Sequence, residues 1–324
     1  MSLSIKAEPG VTGLWRPQEP HARDDGVLGL VGNTPLLAMD KLTGTSSPVR
    51  IYAKAEYLNP SGSVKDRAAK GMLLDGIRTG RLSPDKTIID ATSGNTGIAY
   101  AMLGAALGYK VLLYIPANAN RERKGLIRAY GATIVETDPL EGSDGAFLAA
   151  QAEYQGRPEL YFFPDQYNNH VNPRTHYETT GAEILEQTGG GITHFVSSLG
   201  TSGTFMGTAR RLKESDPRVK CVAIQPDSPM HGIEGTKHMA STIRPGIYRP
   251  DLIDSEVLVT TDEAYRIARY LARSMGILAG ISSGANLAGA IKLSRALPRG
   301  SVVVTVLGDS GTRYLSDGVF GEAG

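Results

Sequence analysis

Most of the chain repeats one pattern: a short apolar run, a polar glycine-rich turn, and then a segment with helical spacing. Residues 51–56 alternate like a strand, and residues 69–77 place apolar side chains at helical intervals. The order of strand, turn and helix returns at residues 87–91, 92–97 and 98–107. Strands that alternate with helices through short connections form parallel sheets with helices on both faces. The pattern therefore predicts an α/β protein with two doubly wound parallel-sheet lobes and a cleft between them.

Length and composition exclude several classes of protein. The 324 residues include 34 Lys and Arg against 33 Asp and Glu, so a net charge of +1 creates no field that would attract nucleic acid or an anionic membrane. The single cysteine, Cys221, excludes a disulfide framework. No apolar run is long enough to cross a membrane, and the N-terminal segment lacks the apolar core of a signal peptide. We therefore expect a cytoplasmic enzyme.

The first candidate site is the turn GTSGT at residues 200–204, which follows a predicted strand. Backbone N–H groups and hydroxyls at a helix start attract an anion because the helix dipole adds positive potential, so the turn is a candidate phosphate site. The alternative is a tight turn with an ordinary Ser or Thr cap. Neither GxGxxG nor the P-loop motif is present, which argues against a nicotinamide dehydrogenase.

Three further polar positions lie at predicted turns or helix starts. Lys65 begins a predicted helix, where the dipole disfavours a cation, so it is either a surface lysine or a buried amine suited to a Schiff base. The turn TSGNTG, residues 92–97, can present hydroxyl, amide and N–H groups to a carboxylate, or can simply cap a helix. The segment GDSG, residues 308–311, places a short polar side chain after the last predicted strand.

Other segments predict no catalytic chemistry of their own. The six histidines lack the spacing of metal ligands, so we expect no metal site. Residues 226–250 are rich in Gly, Pro, His and Met and predict a long irregular loop, a feature that is often functional.

Six motifs, in order along the chain, resemble those of the fold-type II pyridoxal-phosphate (PLP) enzymes, and most closely those of the B-type cysteine synthases (O-acetylserine sulfhydrylases). They are GNTPL (32–36), NPSGSVKDR (59–67), TSGNTG (92–97), GTSGT (200–204), GISSG (280–284) and GDSGTRYLS (308–316). The likeness extends from about residue 26 to residue 320. It implies a fold like that of the tryptophan synthase β-subunit, with PLP as cofactor in the cleft.

The resemblance also implies a role for each candidate residue. Lys65 is implied to be the catalytic residue and to hold PLP covalently, while Asn95 is implied to bind the ring 3′-oxygen. The pyridine nitrogen is expected to face Ser310, with the adjacent Asp309 as the alternative. The phosphate is expected to bind Gly200, Thr201, Ser202, Gly203 and Thr204. The α-carboxylate of an amino-acid substrate is expected to bind Thr92, Ser93, Thr96 and Gln166.

The implied reaction is a β-replacement that makes L-cysteine from O-acetyl-L-serine, or O-phospho-L-serine, and sulfide through an aminoacrylate intermediate. A serine hydroxyl at the pyridine nitrogen favours β-elimination because it leaves the ring largely unprotonated, whereas an aspartate would reverse this argument. The alternatives of the same fold are a cystathionine β-synthase and a serine/threonine dehydratase.

The predicted loop departs from the B-type pattern at one point. Some B-type enzymes have an arginine pair after Gly-Ile that is tied to anionic sulfur donors such as thiosulfate, whereas this chain has Glu234 and Gly235 there. The use of thiosulfate is therefore not expected. Lys237 is a candidate contact for O-phosphoserine or another anionic substrate, with a solvated loop lysine as the alternative.

The resemblance finally implies an organisation for the whole chain. Residues 1–25 form an N-terminal arm, residues 26–58 and 169–324 form a larger cofactor-binding lobe, and residues 59–168 form a smaller, mobile substrate-binding lobe. Small-molecule substrates and a homodimer are expected, without nucleic acid or membrane as partners. A complex with serine acetyltransferase is left open.

Overall fold

The computed structural model describes residues 26–44, 47–92 and 94–321, without the side chain of Thr43. The arm expected at residues 1–25 lies outside the described residues. The strands within them are β1 (Leu36–Ala38), β2 (Arg50–Ala55), β3 (Thr87–Ala91), β4 (Val111–Pro116), β5 (Thr133–Thr137), β6 (Tyr161–Phe162), β7 (His194–Ser198), β8 (Lys220–Pro226), β9 (Ser255–Val259) and β10 (Val302–Leu307). The α-helices are α1 (Asp40–Thr43), α2 (Lys65–Arg78), α3 (Asn95–Leu107), α4 (Arg121–Ala129), α5 (Gly142–Gly156), α6 (Val171–Glu178), α7 (Thr180–Gln187), α8 (Gly203–Ser215), α9 (Thr261–Met275) and α10 (Ile281–Ser294).

The strands form two separate sheets. A six-stranded sheet has the order β1-β2-β10-β7-β8-β9, and a four-stranded sheet has the order β5-β4-β3-β6. Every pairing is parallel except that of β1 with β2. The predicted α/β class with parallel sheets is therefore confirmed. No described helix is long and apolar enough to span a membrane.

Burial on both faces explains the composition of the central strands. The strand β10 reads VVVTVL, and its last five residues are almost fully buried. A strand that is covered by helices on both faces is expected to be a continuous apolar run of this kind. At the other sheet, Gly76 allows α2 to pack closely on β6. A Cβ added at Gly76 would lie only 2.6 Å from the ring of Phe162.

Two predictions about local structure can be compared with the observed elements. The predicted loop contains no strand or helix between the end of β8 and a short 3₁₀ turn at Pro250–Leu252. The sequence also predicts a helix at residues 178–187, and the structure has α7 there, beginning at Thr180 just after α6 ends at Glu178. Between them, the backbone of Thr179 has φ −116° and ψ −75°, which departs from ideal helix values, and the two helices separate there.

The two sheets draw on different parts of the chain. The strands of the four-stranded sheet lie between residues 87 and 162, and those of the six-stranded sheet lie at residues 36–55 and 194–307. The division into a larger lobe and a smaller mobile lobe, with the boundaries given above, stays a prediction.

A buried ionic network links α2 to β2, to the turn after β2 and to α7. The guanidinium of Arg67 binds Glu56 at 2.7 Å and Glu183 at 2.6 Å, and Glu183 also binds Lys54 at 2.6 Å. Thr34 donates its hydroxyl to Glu56 at 2.6 Å. Burial alone would raise the pKa of Glu56, but the charge of Arg67 lowers it from 4.5 to about 2. The stability gained from this carboxylate is therefore complete above about pH 4.5 and is lost as the pH falls through 2.

We predict that Arg67→Ala lowers the free energy of unfolding at pH 7 by about 3–5 kcal/mol, because Glu56 would remain buried without its cation. The matched control is Arg50→Ala, which removes an ion pair with Asp40 at the surface and should cost less than about 1 kcal/mol. Urea unfolding of both variants measures the difference. Equal losses in the two variants would contradict the importance of the buried network.

Candidate active site

Three consecutive residues at the start of α2 have separate tasks. Asp66 accepts hydrogen bonds from the backbone N–H of Ser61 at 2.7 Å and from the Ser61 hydroxyl, which closes the turn before the helix. Arg67 anchors the helix in the buried network. The side chain of Lys65 is thereby left to point into the space between the sheets, where it lines two adjoining cavities.

The environment of Lys65 favours a neutral amine. Burial lowers the pKa of the Lys65 amine below its ordinary value, and the nearby guanidinium of Arg313 lowers it further, while the carboxylate of Asp309 acts in the opposite direction. A lysine with a lowered pKa releases its proton more readily than an ordinary lysine, which favours its use as a nucleophile or base. The sequence left a surface lysine as the alternative, and the structure places Lys65 inside instead.

The first of the two cavities, cavity A, contains about 530 Å³ of empty space, part of it open to solvent. Among the described residues that line it, Lys65 is the only one with a charged side chain. The others include Asn95, Ser282, Gly308 and four members of the GTSGT turn, namely Gly200, Thr201, Ser202 and Thr204. A polar lining without a carboxylate is suited to an anionic group.

The GTSGT turn has the geometry of an anion site at the start of α8. Ser202 has a positive φ of 71°, which brings successive N–H groups to one side of the turn. Its hydroxyl oxygen is buried and has no hydrogen-bond partner among the described residues. Gly200 allows a close approach of the neighbouring loop, because a Cβ there would lie 2.5 Å from the carbonyl oxygen of Gly235.

A neutral histidine supports this turn from behind. Thr204 lies 3.2 Å from Nε2 of His176, whose Nδ1 lies 2.9 Å from the hydroxyl of Thr180. Burial lowers the pKa of His176 to about 3, so the ring adds hydrogen bonds but no charge near neutral pH. The last residue of the predicted set, Gly203, is buried at the first position of α8 and is absent from the cavity lining.

The second cavity, cavity B, shares Lys65, Asn95, Gly200, Thr201 and Gly235 with cavity A. It extends toward the turn before α3, where its lining includes Thr92, Thr96 and Gln166. The hydroxyl of Thr96 donates to Oε1 of Gln166 at 2.9 Å, and Nε2 of Gln166 donates to the carbonyl of Ala91 at 3.1 Å. The predicted carboxylate-binding residues Thr92, Thr96 and Gln166 are thus brought together, whereas Ser93 lies outside the described residues.

Asn95 joins the two cavities and is fixed by neighbours from the end of the chain. Its Nδ2 donates to Asp309 at 2.7 Å, and its Oδ1 accepts a hydrogen bond from Arg313. The same oxygen of Asp309 accepts a second hydrogen bond from Tyr314 at 2.6 Å. An amide NH₂ has two hydrogens, so Asn95 retains one donor for a ligand.

The structure does not bring Ser310 into the described lining of either cavity. Its hydroxyl lies 2.9 Å from that of Thr312 and caps the 3₁₀ turn that follows. Asp309 is likewise absent from the lining. Ser282 lines cavity A instead, close to Gly308. It belongs to the motif GISSG, which was recognised in the sequence without a role, so the motif itself was the available signal.

Two cations in cavity B have no counterpart among the predicted site residues. They are Arg123 of α4, which pairs with Glu234, and Lys237, which lies 3.4 Å from Asp144. Lys237 was considered only as a candidate contact, and no sequence motif distinguished Arg123 from other helix arginines. Residues that are this far apart in the chain become neighbours only through the fold.

The cleft, the reactive lysine and the phosphate turn define a class of PLP-binding site, and the comparisons with known proteins agree. The family described as pyridoxal-phosphate dependent enzyme matches residues 27–309. The chain is 48% identical to a cysteine synthase of Aquifex aeolicus, over 95% of this chain and 96% of that protein. It is 43% identical to cysteine synthase B of Salmonella typhimurium, over 90% and 95% of the two chains.

A solved cysteine synthase structure from Entamoeba histolytica superposes with a TM-score of 0.87 at 33% identity, covering 98% of this chain and 95% of that one. The chain therefore belongs to the pyridoxal-phosphate dependent enzymes, and its cofactor is PLP. Within that family it belongs with the cysteine synthases. The resemblance stated from the sequence motifs is thus confirmed, as are the fold type and the cofactor.

The residues of cavity A fit this cofactor. The hydroxyl of Ser202, unpartnered among the described residues, and the N–H groups of the turn are suited to its phosphate, and the amine of Lys65 is suited to its aldehyde. Among the described residues, no group of three or more His, Cys, Asp or Glu side chains is placed to hold a metal ion.

We predict that Ser202→Ala weakens PLP binding by about 10-fold or more, because a hydrogen bond to a charged group is worth about 1.5–3 kcal/mol. The matched control is Thr208→Ala, since the hydroxyl of Thr208 is also buried and unpartnered among the described residues but lies outside the lining of cavity A. Titration of the apoenzyme with PLP, followed by absorbance, gives both affinities. An unchanged affinity in Ser202→Ala would show that this hydroxyl does not bind the phosphate.

Proposed function

We propose that this enzyme makes L-cysteine by β-replacement, from O-acetyl-L-serine or O-phospho-L-serine and sulfide. The single observation that supports this most strongly is the position of Lys65 at the junction of the two cavities. Cavity A offers a phosphate turn, and cavity B offers hydroxyl and amide groups suited to an α-carboxylate. The similarity to cysteine synthases over nearly the whole chain supports the same reaction.

In this proposal, each group of site residues holds one part of the bound molecules. Asn95 uses its remaining N–H to bind the ring 3′-oxygen of PLP. The phosphate binds the turn formed by Gly200, Thr201, Ser202, Gly203 and Thr204. The α-carboxylate of the substrate binds Thr92, Thr96 and Gln166, together with Ser93.

Ser282 is the better candidate for the pyridine nitrogen than Ser310. Its place in the lining of cavity A, beside Gly308, supports this assignment, whereas the hydroxyl of Ser310 is used in a turn outside the lining. A neutral hydroxyl leaves the ring nitrogen largely unprotonated and favours β-elimination over reactions that need a long-lived carbanion. Ser282 is therefore the serine expected to leave the ring nitrogen unprotonated.

Lys65 moves the proton of the reaction. PLP, when bound, supplies an electron sink for the pair left at the substrate Cα. The Lys65 amine removes the proton from Cα, the β-substituent departs, sulfide adds at Cβ, and Lys65 returns the proton to Cα. The lowered pKa of Lys65 suits both transfers, since the amine must be free to accept the proton and able to give it back.

The wider organisation supports the exclusion of water. We propose that the smaller lobe, residues 59–168, closes over cavity B after the substrate has bound, because a closed site protects reactive species from hydrolysis. We also propose a homodimer located in the cytoplasm, which rests on the resemblance to the family.

We predict that Lys65→Ala abolishes turnover of O-acetyl-L-serine, with a rate at least 10³-fold lower, because the base and the covalent anchor are both lost. In the wild-type protein, the visible absorbance band of bound PLP should change on addition of O-acetyl-L-serine and return after sulfide. The control is Lys70→Ala, since Lys70 lies on the same helix and donates to the carbonyl of Leu28 instead. A protein that binds PLP but ignores O-acetyl-L-serine would contradict the proposed substrate.

We further predict that Ser282→Asp lowers the rate of β-elimination at least 10-fold, because a carboxylate would hold the pyridine nitrogen protonated. Ser310→Asp serves as the control and should retain more than half of the activity. Stopped-flow absorbance with O-acetyl-L-serine alone measures this first half of the reaction. The opposite ranking of the two variants would return the assignment to Ser310.

A further inference from the structure

Two ion pairs lie at the rim of cavity B, and the cation comes from a helix in one pair and from the long loop in the other. Arg123 of α4 pairs with Glu234 of the long loop, and Lys237 of that loop pairs with Asp144 in the first turn of α5. We call these four residues the rim pairs. Each pair joins the segment 59–168 to the loop between β8 and the turn at residue 250.

The cations and anions of the rim pairs face different surroundings. The side chains of Arg123 and Lys237 are only 6% and 10% exposed, and both line cavity B. Glu234 and Asp144 are 43% and 38% exposed and are absent from that lining. The cavity wall therefore presents two cations that are neutralised from outside by two carboxylates.

Aromatic contacts hold both cations in place. The guanidinium carbon of Arg123 lies 4.8 Å from the ring centroid of Tyr314, and Nζ of Lys237 lies 5.0 Å from that of Tyr167. Neither cation is therefore free to follow a carboxylate outward. An anion that enters the cavity has to compete with Glu234 and Asp144 for groups that stay in the wall.

We propose that Glu234 and Asp144 determine the substrate specificity of this site, by neutralising the rim cations so that an uncharged β-substituent is preferred to a phosphate ester. This inference rests on the proposed function and deepens it, because it selects O-acetyl-L-serine over O-phospho-L-serine. An acetyl ester enters without displacing a counter-ion. A dianionic phosphate has to separate a carboxylate from a largely buried cation, which is unfavourable.

The same competition would also disturb the closure of the site. Because each rim pair connects the segment 59–168 to the loop, displacement of Glu234 or Asp144 removes a contact across the mouth of the cavity. A phosphate ester therefore loses in two ways, by breaking an ion pair and by loosening the rim. Removal of either carboxylate takes away the anion that neutralises one rim cation, so that this cation can attract the phosphate directly.

The test compares kcat/KM for the two esters in the wild-type enzyme, Glu234→Gln, Asp144→Asn and the double variant. In a ping-pong reaction, kcat/KM for the ester reports only on the first half-reaction, so sulfide binding does not affect it. We expect the ratio of O-phospho-L-serine to O-acetyl-L-serine to rise about 10-fold in each single variant and further in the double variant. The rise should shrink at high salt, as an electrostatic effect does.

Glu136→Gln is the matched control. Glu136 is 43% exposed, as Glu234 is, and it pairs with Lys124, the neighbour of Arg123 on α4, outside the described lining of cavity B. Its removal should leave the ratio within twofold of the wild-type value. Asp144→Asn keeps the test intact if Glu234→Gln does not fold, and the absorbance of bound PLP shows which variants are folded.

Two results would overturn the inference. The first is a wild-type enzyme that prefers O-phospho-L-serine, and the second is an unchanged ratio in folded variants that still turn over O-acetyl-L-serine. A wild-type enzyme that binds PLP and consumes neither ester is a different outcome. It would refute the proposed function itself, before any variant is compared.

Discussion

The buried pairing of Arg67 with Glu56 and Glu183 is the constraint on which the site depends. It connects α2 to the 3₁₀ turn after β2 and to α7 at distances below 3 Å, with all three side chains largely withdrawn from water. A buried pair tolerates little movement, because an unpaired charge in such surroundings is costly. The position and rotation of the helix that begins with Lys65 are therefore fixed. Because Arg67 lies only two residues after Lys65, its ion pairs also fix the position of the Lys65 amine.

The edges of the two sheets supply the rest of the site. The turn before α3 follows β3, and the GTSGT turn follows β7, so both lie at the carboxyl ends of parallel strands. That edge is where open α/β sheets bind ligands. The two turns come from different sheets, and Lys65 and Asn95 line both of the cavities that the turns border. One turn is suited to a phosphate and the other to a carboxylate, and the reacting atoms fall between them.

Local patterns predicted the parts of the site that a short stretch of sequence defines. The order of strand, turn and helix identified Lys65 and the GTSGT turn as candidates with ordinary structural alternatives, the family resemblance implied their roles, and the structure places both at one cavity. The partner of the pyridine nitrogen could not be derived in this way, because Ser282, at the start of α10, and Ser310, after β10, are both short polar residues of the predicted motifs, and the sequence does not show which one lines the cavity. Arg123 and Glu234 were beyond reach for another reason. They are 111 positions apart, and their pairing exists only once α4 and the loop are packed together.

The two cavities differ in how their walls treat charge. In cavity A, burial and Arg313 lower the pKa of Lys65 more than Asp309 raises it, so the lysine holds its proton less firmly than an ordinary lysine does. Backbone N–H groups and hydroxyls therefore carry the attraction for an anion there, without a fixed countercharge in the described lining. Cavity B places two cations in its wall and neutralises both from outside. A site built this way holds its cofactor by directed hydrogen bonds and selects its substrate by the cost of separating charges that are already paired.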